Sequence, residues 1–198
     1  MSLPIAKLRN PEIRGYVNEH FNRVSRLVSF GAALLADVDK VVVSVDMKVG
    51  AYTIAAQPDI PRNITVTVTA TDTADTMGTV VVVGTDIEGQ PITETITPAA
   101  GSTVAGTKAF KTVTSVTGAG WVVDAAEGTK DKITVGIGTA LGLPFKIIDN
   151  GQVLLGVVGT ALVAPVVAHS DRVVSECTVD LSAGTYNGTK AVMAFVVE

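Results

Sequence analysis

The sequence predicts an all-β sandwich preceded by one amphipathic helix. Apolar and polar residues alternate in many short segments, and alternation puts the apolar side chains of a strand on one face. These segments follow one another about every 8–12 residues with turn signals between them, as is typical of sandwiches and barrels. Hydrophobic residues make up 47% of the 198 residues and charged residues 17%, so the chain is apolar enough to form a packed core.

The clearest strand signals lie in residues 61–98. Ile64, Val66 and Val68 alternate with threonines, and β-branched residues on both faces favour an extended backbone. This pattern predicts a first strand over residues 64–71.

Two further strands are predicted in the same stretch. The unbroken run Val80–Val83 predicts a strand over residues 79–85 that is central in its sheet, because both of its faces are apolar. The strand over residues 92–97 carries Glu94 on its apolar face. We therefore expect Glu94 at a sheet edge, on a solvated face or in a subunit contact.

One helix is predicted near the N-terminus. Asn10, Pro11 and Glu12 form a helix-start signal, with a capping residue, a proline at the first position and an acid in the first turn. Apolar residues then recur at spacings of three and four, and Gly31 is the expected end. The helix is expected to cover its own β domain or to pack on a neighbouring subunit. Its apolar stripe consists of Ile13, Tyr16, Val17, His20, Phe21, Val24, Leu27 and Val28.

Alternation and apolar runs predict the remaining strands. The last strand is apolar on both faces, and residues 153–168 are interpreted as buried strands with a turn or, if exposed, as an oligomer contact. Residues 99–108 are expected to form a mobile loop and residues 138–144 a linker. The predicted strands cover residues 41–45, 52–56, 110–117, 121–123, 133–137, 145–148, 153–158, 173–181 and 191–197.

These elements are grouped into domains. Residues 1–38 are assigned to an N-terminal arm and helix. Residues 39–60 and 139–198 are assigned to one β domain whose strands pair with each other. Residues 61–138 are assigned to a β-sandwich, with insertion into that domain as one option. The sandwich is expected to be immunoglobulin-like or jelly-roll-like.

Composition and charge exclude several classes. The net charge of −4 and the pI near 5.2 argue against nucleic-acid binding, which needs clustered Lys and Arg. A single cysteine excludes an internal disulfide framework, and no signal peptide is evident. The longest apolar stretch, residues 153–168, is interrupted by glycines and a proline and is shorter than the roughly 20 residues of a membrane helix. No membrane partner is expected.

No catalytic, metal or cofactor site is predicted. His20 and His169 are the two histidines, and no nucleophile motif accompanies them. Cys177 lies on the apolar face of its predicted strand, where an inert buried thiol is expected. Residues 136–138 form a GxG pattern without a following helix and therefore predict no dinucleotide site. Four acids, interpreted as solvated turn residues, are Asp72, Asp75, Asp86 and Glu88.

Several stretches resemble β-rich structural proteins from the virions of tailed bacteriophages and prophages. The resemblance is best over residues 61–138. It rests on PRNITVTVTATD, GTVVVVGTDIEGQPITETIT, GTKAFKTVTSVTGAG and DKITVGIG, with a looser likeness in AGTYNGTKAVMAFVV near the C-terminus.

The resemblance implies a structural role in the virion. Within that class we favour a head-decoration, or cement, protein that oligomerises as a dimer or trimer on the capsid exterior. Its partner would be the major capsid protein, and it would be assembled in the host cytoplasm. A tail-tube or neck protein is the closest alternative.

The sequence also gives candidate contact residues. A subunit or capsid interface is predicted at Tyr16, Phe21, Val24, Leu27, Leu154, Leu155, Val192 and Phe195. A carbohydrate- or receptor-binding module is a competing hypothesis, with Tyr52, Trp121 and Tyr186 as its contacts. The aromatic content of 5% argues against it.

Overall fold

The computed structural model describes residues 24–47, 49–69, 76–122, 131–149 and 152–197. They form antiparallel strands with short 3-10 turns, so the all-β class is confirmed. Sheet A has the order β1 (Val24–Ala33), β14 (Thr189–Val197), β10 (Val153–Val158) and β11 (Ala161–Val163). Sheet B has the order β12 (Val166–Ala168), β13 (Thr178–Asp180), β9 (Lys132–Gly142), β4 (Arg62–Thr69) and β7 (Thr103–Phe110), and β2 (Asp37–Asp46) also pairs with β9. Sheet C has the order β3 (Gly50–Tyr52), β8 (Thr112–Ala119), β5 (Thr79–Thr85) and β6 (Pro91–Ile96).

The buried apolar side chains form two cores. The first combines residues of sheets B and C, such as Val66 of β4 and Val82 of β5. The second combines residues of sheets A and B, such as Met193 of β14 and Val179 of β13. Sheet B therefore contributes to both cores.

Strand β9 connects the two cores. Ile133 and Ile137 lie in the first core, and Leu141, further along the same strand, lies in the second. On one side β9 pairs with β4, and on its other side it pairs first with β2 and then with β13. Residues 138–144, predicted as a linker, therefore largely continue this strand.

Two glycines allow neighbouring segments to approach β9 closely. A Cβ atom at Gly136 would collide with the backbone of Asp37 and Val38, and one at Gly138 would collide with the side chain of Asn63. Glycine inside a strand often marks such an approach. Packing therefore explains both glycines of this GxG pattern, of which Gly138 was interpreted from the sequence as the start of a linker.

Several strand predictions are confirmed. Strand β4 buries Ile64, Val66 and Val68, and β5 is central in sheet C, between β8 and β6. Strand β6 is an edge strand, which is one of the three settings expected for Glu94. The Glu94 carboxylate accepts hydrogen bonds from the backbone N–H groups of Thr107 (2.6 Å) and Lys108 (3.3 Å) in β7. It thus joins an edge of sheet C to an edge of sheet B.

The predicted helix is wrong in its C-terminal part. Residues 24–33 form β1 and pair with β14 from Val24↔Val197 to Ala33↔Thr189. Apolar residues at Val24, Leu27 and Val28 fit a helical stripe, but the pairing with an apolar neighbouring strand overrides that local pattern. The part of the predicted helix before Val24 lies outside the described residues.

Other boundaries also differ from the predictions. Residues 103–108 belong to β7 rather than to a loop, because β7 pairs with β4. The chain bends at Lys111, so the predicted strand over residues 110–117 is divided between sheets B and C. Residues 145–148 form no strand. Three predicted strands are shorter in the structure. Of residues 52–56, only Tyr52 lies in a strand, as the end of β3, and of residues 121–123, Val122 forms an isolated bridge. Residues 173–181 contain a 3-10 turn followed by β13.

Among the described residues, the strand pairing expected between residues 41–56 and 145–197 is not observed. Strand β2 pairs with β9, and β3 pairs with β8. Both therefore contribute to the first core, as Val42 and Tyr52 do. The division of the chain into domains stays a prediction.

The close approach at Gly136 gives a stability prediction. Gly136→Ala is expected to lower the free energy of unfolding by about 1–3 kcal/mol, because rigid backbone must move to admit the methyl group. Urea unfolding followed by the fluorescence of Trp121, the single, buried tryptophan, measures this. Ser44→Ala, on an exposed position of β2, is the control and is expected to change stability by less than about 0.5 kcal/mol. Equal stability of the two variants would contradict the close approach.

Candidate functional site

The outer face of sheet A carries exposed aliphatic side chains. Residues paired directly across strands lie on the same face of a sheet. Leu27 pairs with Ala194, which pairs with Leu155. The next apolar row crosses β14, β10 and β11 through Val192, Val157 and Leu162. We call these six residues the sheet A face: Leu27, Leu155, Val157, Leu162, Val192 and Ala194.

The exposure of these residues is high for aliphatic side chains. Leu27 is 75% exposed, Leu162 is 78% exposed and Leu155 is 39% exposed. Val157, Val192 and Ala194 are half-buried and lie between them. Contiguous exposed apolar surface of this kind marks interaction sites, whereas scattered apolar residues do not.

The composition of β14 explains why the face is apolar. Ala191, Met193 and Phe195 point into the second core, and the alternate residues Val192 and Ala194 point outward. A central strand that is apolar on both sides is typical of a sheet covered on both faces. The second core covers one face of sheet A, and Leu27, Leu155 and Leu162 on the other face are exposed.

The structure brings together three of the eight residues predicted as an interface. Leu27, Leu155 and Val192 lie on neighbouring strands of the sheet A face. Phe195 lies in the second core instead, 6% exposed, with its ring stacked on that of Phe145 at 4.1 Å between centroids.

The other four predicted interface residues are only partly placed. Val24 belongs to β1 and Leu154 to β10, but the structure describes only the backbone of these two residues. Tyr16 and Phe21 lie outside the described residues. The interface role of all eight stays a prediction.

Sequence reasoning did not name the other three members of the face singly, although all three lie in the apolar stretches 153–168 and 191–197, which were predicted to supply a subunit contact. Val157, Leu162 and Ala194 became part of the face only through the strand register. A signal was present for Leu162, because Gly159 and Thr160 form a tight turn between β10 and β11. Such a turn places the residues of a hairpin opposite each other.

A second feature is a buried charge where the two cores meet. Arg62 is fully buried, and its Nη1 donates hydrogen bonds to Asp59 Oδ1 (2.9 Å) and to the Leu34 carbonyl oxygen (3.2 Å). The other carboxylate oxygen of Asp59 accepts a hydrogen bond from the Leu34 N–H at 2.8 Å. The pair therefore fixes the end of β1 against the start of β4.

The aromatic ring of Tyr186 completes this cluster. The Arg62 guanidinium lies 5.7 Å from the ring centroid, within the range of a cation–π interaction. The Tyr186 hydroxyl oxygen accepts a hydrogen bond from the Leu181 N–H at 2.7 Å. Burial raises the pKa of Tyr186 to about 12 and lowers the pKa of Arg62, an effect that Asp59 opposes.

The remaining candidates for chemistry have structural settings. His169 is exposed, and Cys177 is a free, fully buried thiol whose Sγ lies 3.3 Å from the carbonyl oxygen of Ser170. Within the described ranges, no three His, Cys, Asp or Glu residues are grouped so that they could hold a metal ion.

The turn acids need one correction. Asp86 is 5% exposed rather than solvated. Its Oδ1 accepts hydrogen bonds from the N–H groups of Glu88 (2.9 Å) and Gln90 (2.8 Å), so it shapes the turn between β5 and β6. Glu88 is exposed as expected, and Asp72 and Asp75 lie outside the described residues.

The aromatic residues proposed as sugar contacts are buried. Tyr52 is 5% exposed, Trp121 is 7% exposed and Tyr186 is 1% exposed. A sugar-binding platform needs an accessible ring face, and these three residues do not provide one.

Comparisons with known proteins did not assign this chain to a family. Protein-family models, curated proteins and solved structures gave no match. Among the described residues, no helix is long and apolar enough to cross a membrane.

Removing the charge of Asp59 is expected to destabilise the protein. Asp59→Asn leaves the buried guanidinium of Arg62 without its counter-ion, which costs about 3–5 kcal/mol when such a pair is broken. Urea unfolding measures the loss. Lys132→Gln is the matched control, because it breaks an exposed ion pair with Asp46 that contributes at most about 1 kcal/mol. Similar losses in the two variants would contradict the importance of the buried pair.

The raised pKa of Tyr186 gives a pH prediction. The unfolded chain ionises this tyrosine near pH 10 and the folded chain only near pH 12. The stabilisation is therefore complete below pH 10 and is lost as the pH rises, by about 2 kcal/mol at pH 12. Urea unfolding at pH 9 to 12 measures it. Tyr186→Phe is expected to be less stable at pH 9, because the Leu181 N–H loses its acceptor, and to show a flatter dependence above pH 10. An unchanged dependence in this variant would contradict the assignment.

Proposed function

We propose that this chain is a structural protein of a bacteriophage virion, a head-decoration protein that oligomerises and binds the major capsid protein. The observation that carries the proposal is the sheet A face. It supplies an aliphatic surface on which copies can associate, and it contains Leu27, Leu155 and Val192, which the sequence singled out as interface residues.

The fold supports the same proposal. The β-rich stretch that resembles virion proteins, residues 61–138, forms most of the first core through β4, β5, β8 and β9. We propose that the two sheets around this core form a sandwich of the immunoglobulin-like or jelly-roll-like kind. Sheet A is then an addition to that sandwich, and its outer face is available for association.

A second exposed apolar group is a further contact candidate. Leu34, Leu35 and Val38 are 44%, 59% and 49% exposed, at the junction between β1 and β2. A decoration protein needs one surface for its own copies and another for the capsid. We assign the sheet A face to self-association and the Leu34–Val38 group to the capsid.

The proposal predicts a loss of self-association when the sheet A face is made polar. Leu27→Ser combined with Leu155→Ser is expected to shift the mass measured by light scattering from an oligomer to a monomer, because both side chains would be buried in the contact. Circular dichroism checks that the strand content is unchanged.

Val166→Ser is the matched control, because Val166 is 71% exposed but lies on β12 of sheet B. It should leave the oligomer intact. Co-sedimentation with empty heads of the phage or prophage that encodes the chain tests the capsid contact. A monomeric wild-type protein that does not bind heads would overturn the proposed function.

A further inference from the structure

The sheet A face is too small to hold two copies together by direct stacking. Its four strands are spaced by about 4.8 Å, so the face is about 15 Å wide across the strands. Its aliphatic side chains form two rows. Such a face buries on the order of a few hundred Å² per copy, whereas a stable interface buries about 800 Å² per partner. Self-association through this face therefore needs an additional apolar segment.

Residues 1–23 supply such a segment in the sequence. They directly precede β1, the edge strand of sheet A that carries Leu27. They contain the apolar residues Tyr16, Val17 and Phe21. Aromatic residues are the commonest anchors of protein interfaces, since they bury a large area at a small entropic cost.

The charge of this segment is complementary to that of the remaining chain. Residues 1–23 contain four basic and two acidic side chains, which is a net charge of +2. The whole chain has a net charge of −4, so residues 24–198 carry −6. Opposite charges on the two parts favour their association and increase its rate.

We propose that residues 1–23 of one copy pack on the sheet A face of a second copy. This inference rests on the proposed function, because it names what completes the self-association surface. Residues 1–23 join the sheet A face at its edge, because Val24 begins the edge strand β1. An exchange also joins two segments and two faces in one contact.

Disulfide trapping tests the exchange directly. Phe21→Cys and Leu155→Cys are made in separate full-length chains with different tags, mixed, and oxidised. The expected result is a disulfide-linked dimer that contains both tags. Phe21→Cys mixed with Val166→Cys is the matched control and should give at least about tenfold less of this product, because Val166 lies off the face. The native Cys177 is fully buried and remains in all variants.

A second measurement avoids relying on one cysteine pair. Tyr16→Ser combined with Phe21→Ser in the full chain is expected to raise the concentration at which the oligomer half-dissociates by at least about tenfold for each lost anchor. Asn10→Ser combined with Asn18→Ser changes two polar residues of the same segment without altering its charge and should leave that concentration within about twofold.

The outcomes separate this inference from the proposed function. A chain carrying both Phe21→Cys and Leu155→Cys that forms its disulfide within one monomer would show that the segment covers its own face, which overturns the exchange. An oligomeric wild type with no trapped dimer, and with no effect of the serine changes, would show another occupant and would also overturn it. A monomeric wild type overturns the self-association itself.

Discussion

The continuity of β9 is the constraint on which the architecture depends. One strand supplies Ile133 and Ile137 to the first core and Leu141 to the second. Its backbone pairs with β4 on one side and with β2 and then β13 on the other. Because a single hydrogen-bonded strand runs through both cores, a displacement of its register would disturb both of them. Sheets A and C can therefore be understood as two units that share sheet B.

The buried Arg62 cluster lies beside β9 and is held by charge and hydrogen bonds, whereas the two cores are held by apolar packing. Arg62 is paired with Leu141 of β9, where the neighbouring residues pass from the first core to the second. A buried ion pair contributes little net stability, because desolvation offsets the attraction, but a lost partner is costly. We therefore expect the cluster to act mainly on the specificity of the fold. It penalises arrangements in which Leu34, Asp59 and Tyr186 do not meet.

The sequence was sufficient to predict a strand where the local pattern and the tertiary environment agree. The alternation at Ile64, Val66 and Val68 predicted β4, because one face of that strand is buried. It was insufficient where long-range pairing decides the outcome. Leu27 and Val28 fit a helical stripe until their pairing with β14 is known, and Gly138 indicates a linker until its contact with Asn63 is known. The candidate site shows the same division, because single residues could be selected from apolar runs but their common face required the register.

The two-sided apolar character of β14 links the fold to the proposed role. Its inward residues hold the second core together, and its outward residues are half-buried beside the exposed Leu27 and Leu155. An isolated monomer gains nothing from an aliphatic outer face, since the face costs solvation free energy without packing. On a capsid the same subunit is repeated many times, so even a weak contact between neighbours is multiplied by the high local concentration. The apolar face therefore favours association between copies, and repetition on a lattice strengthens that association.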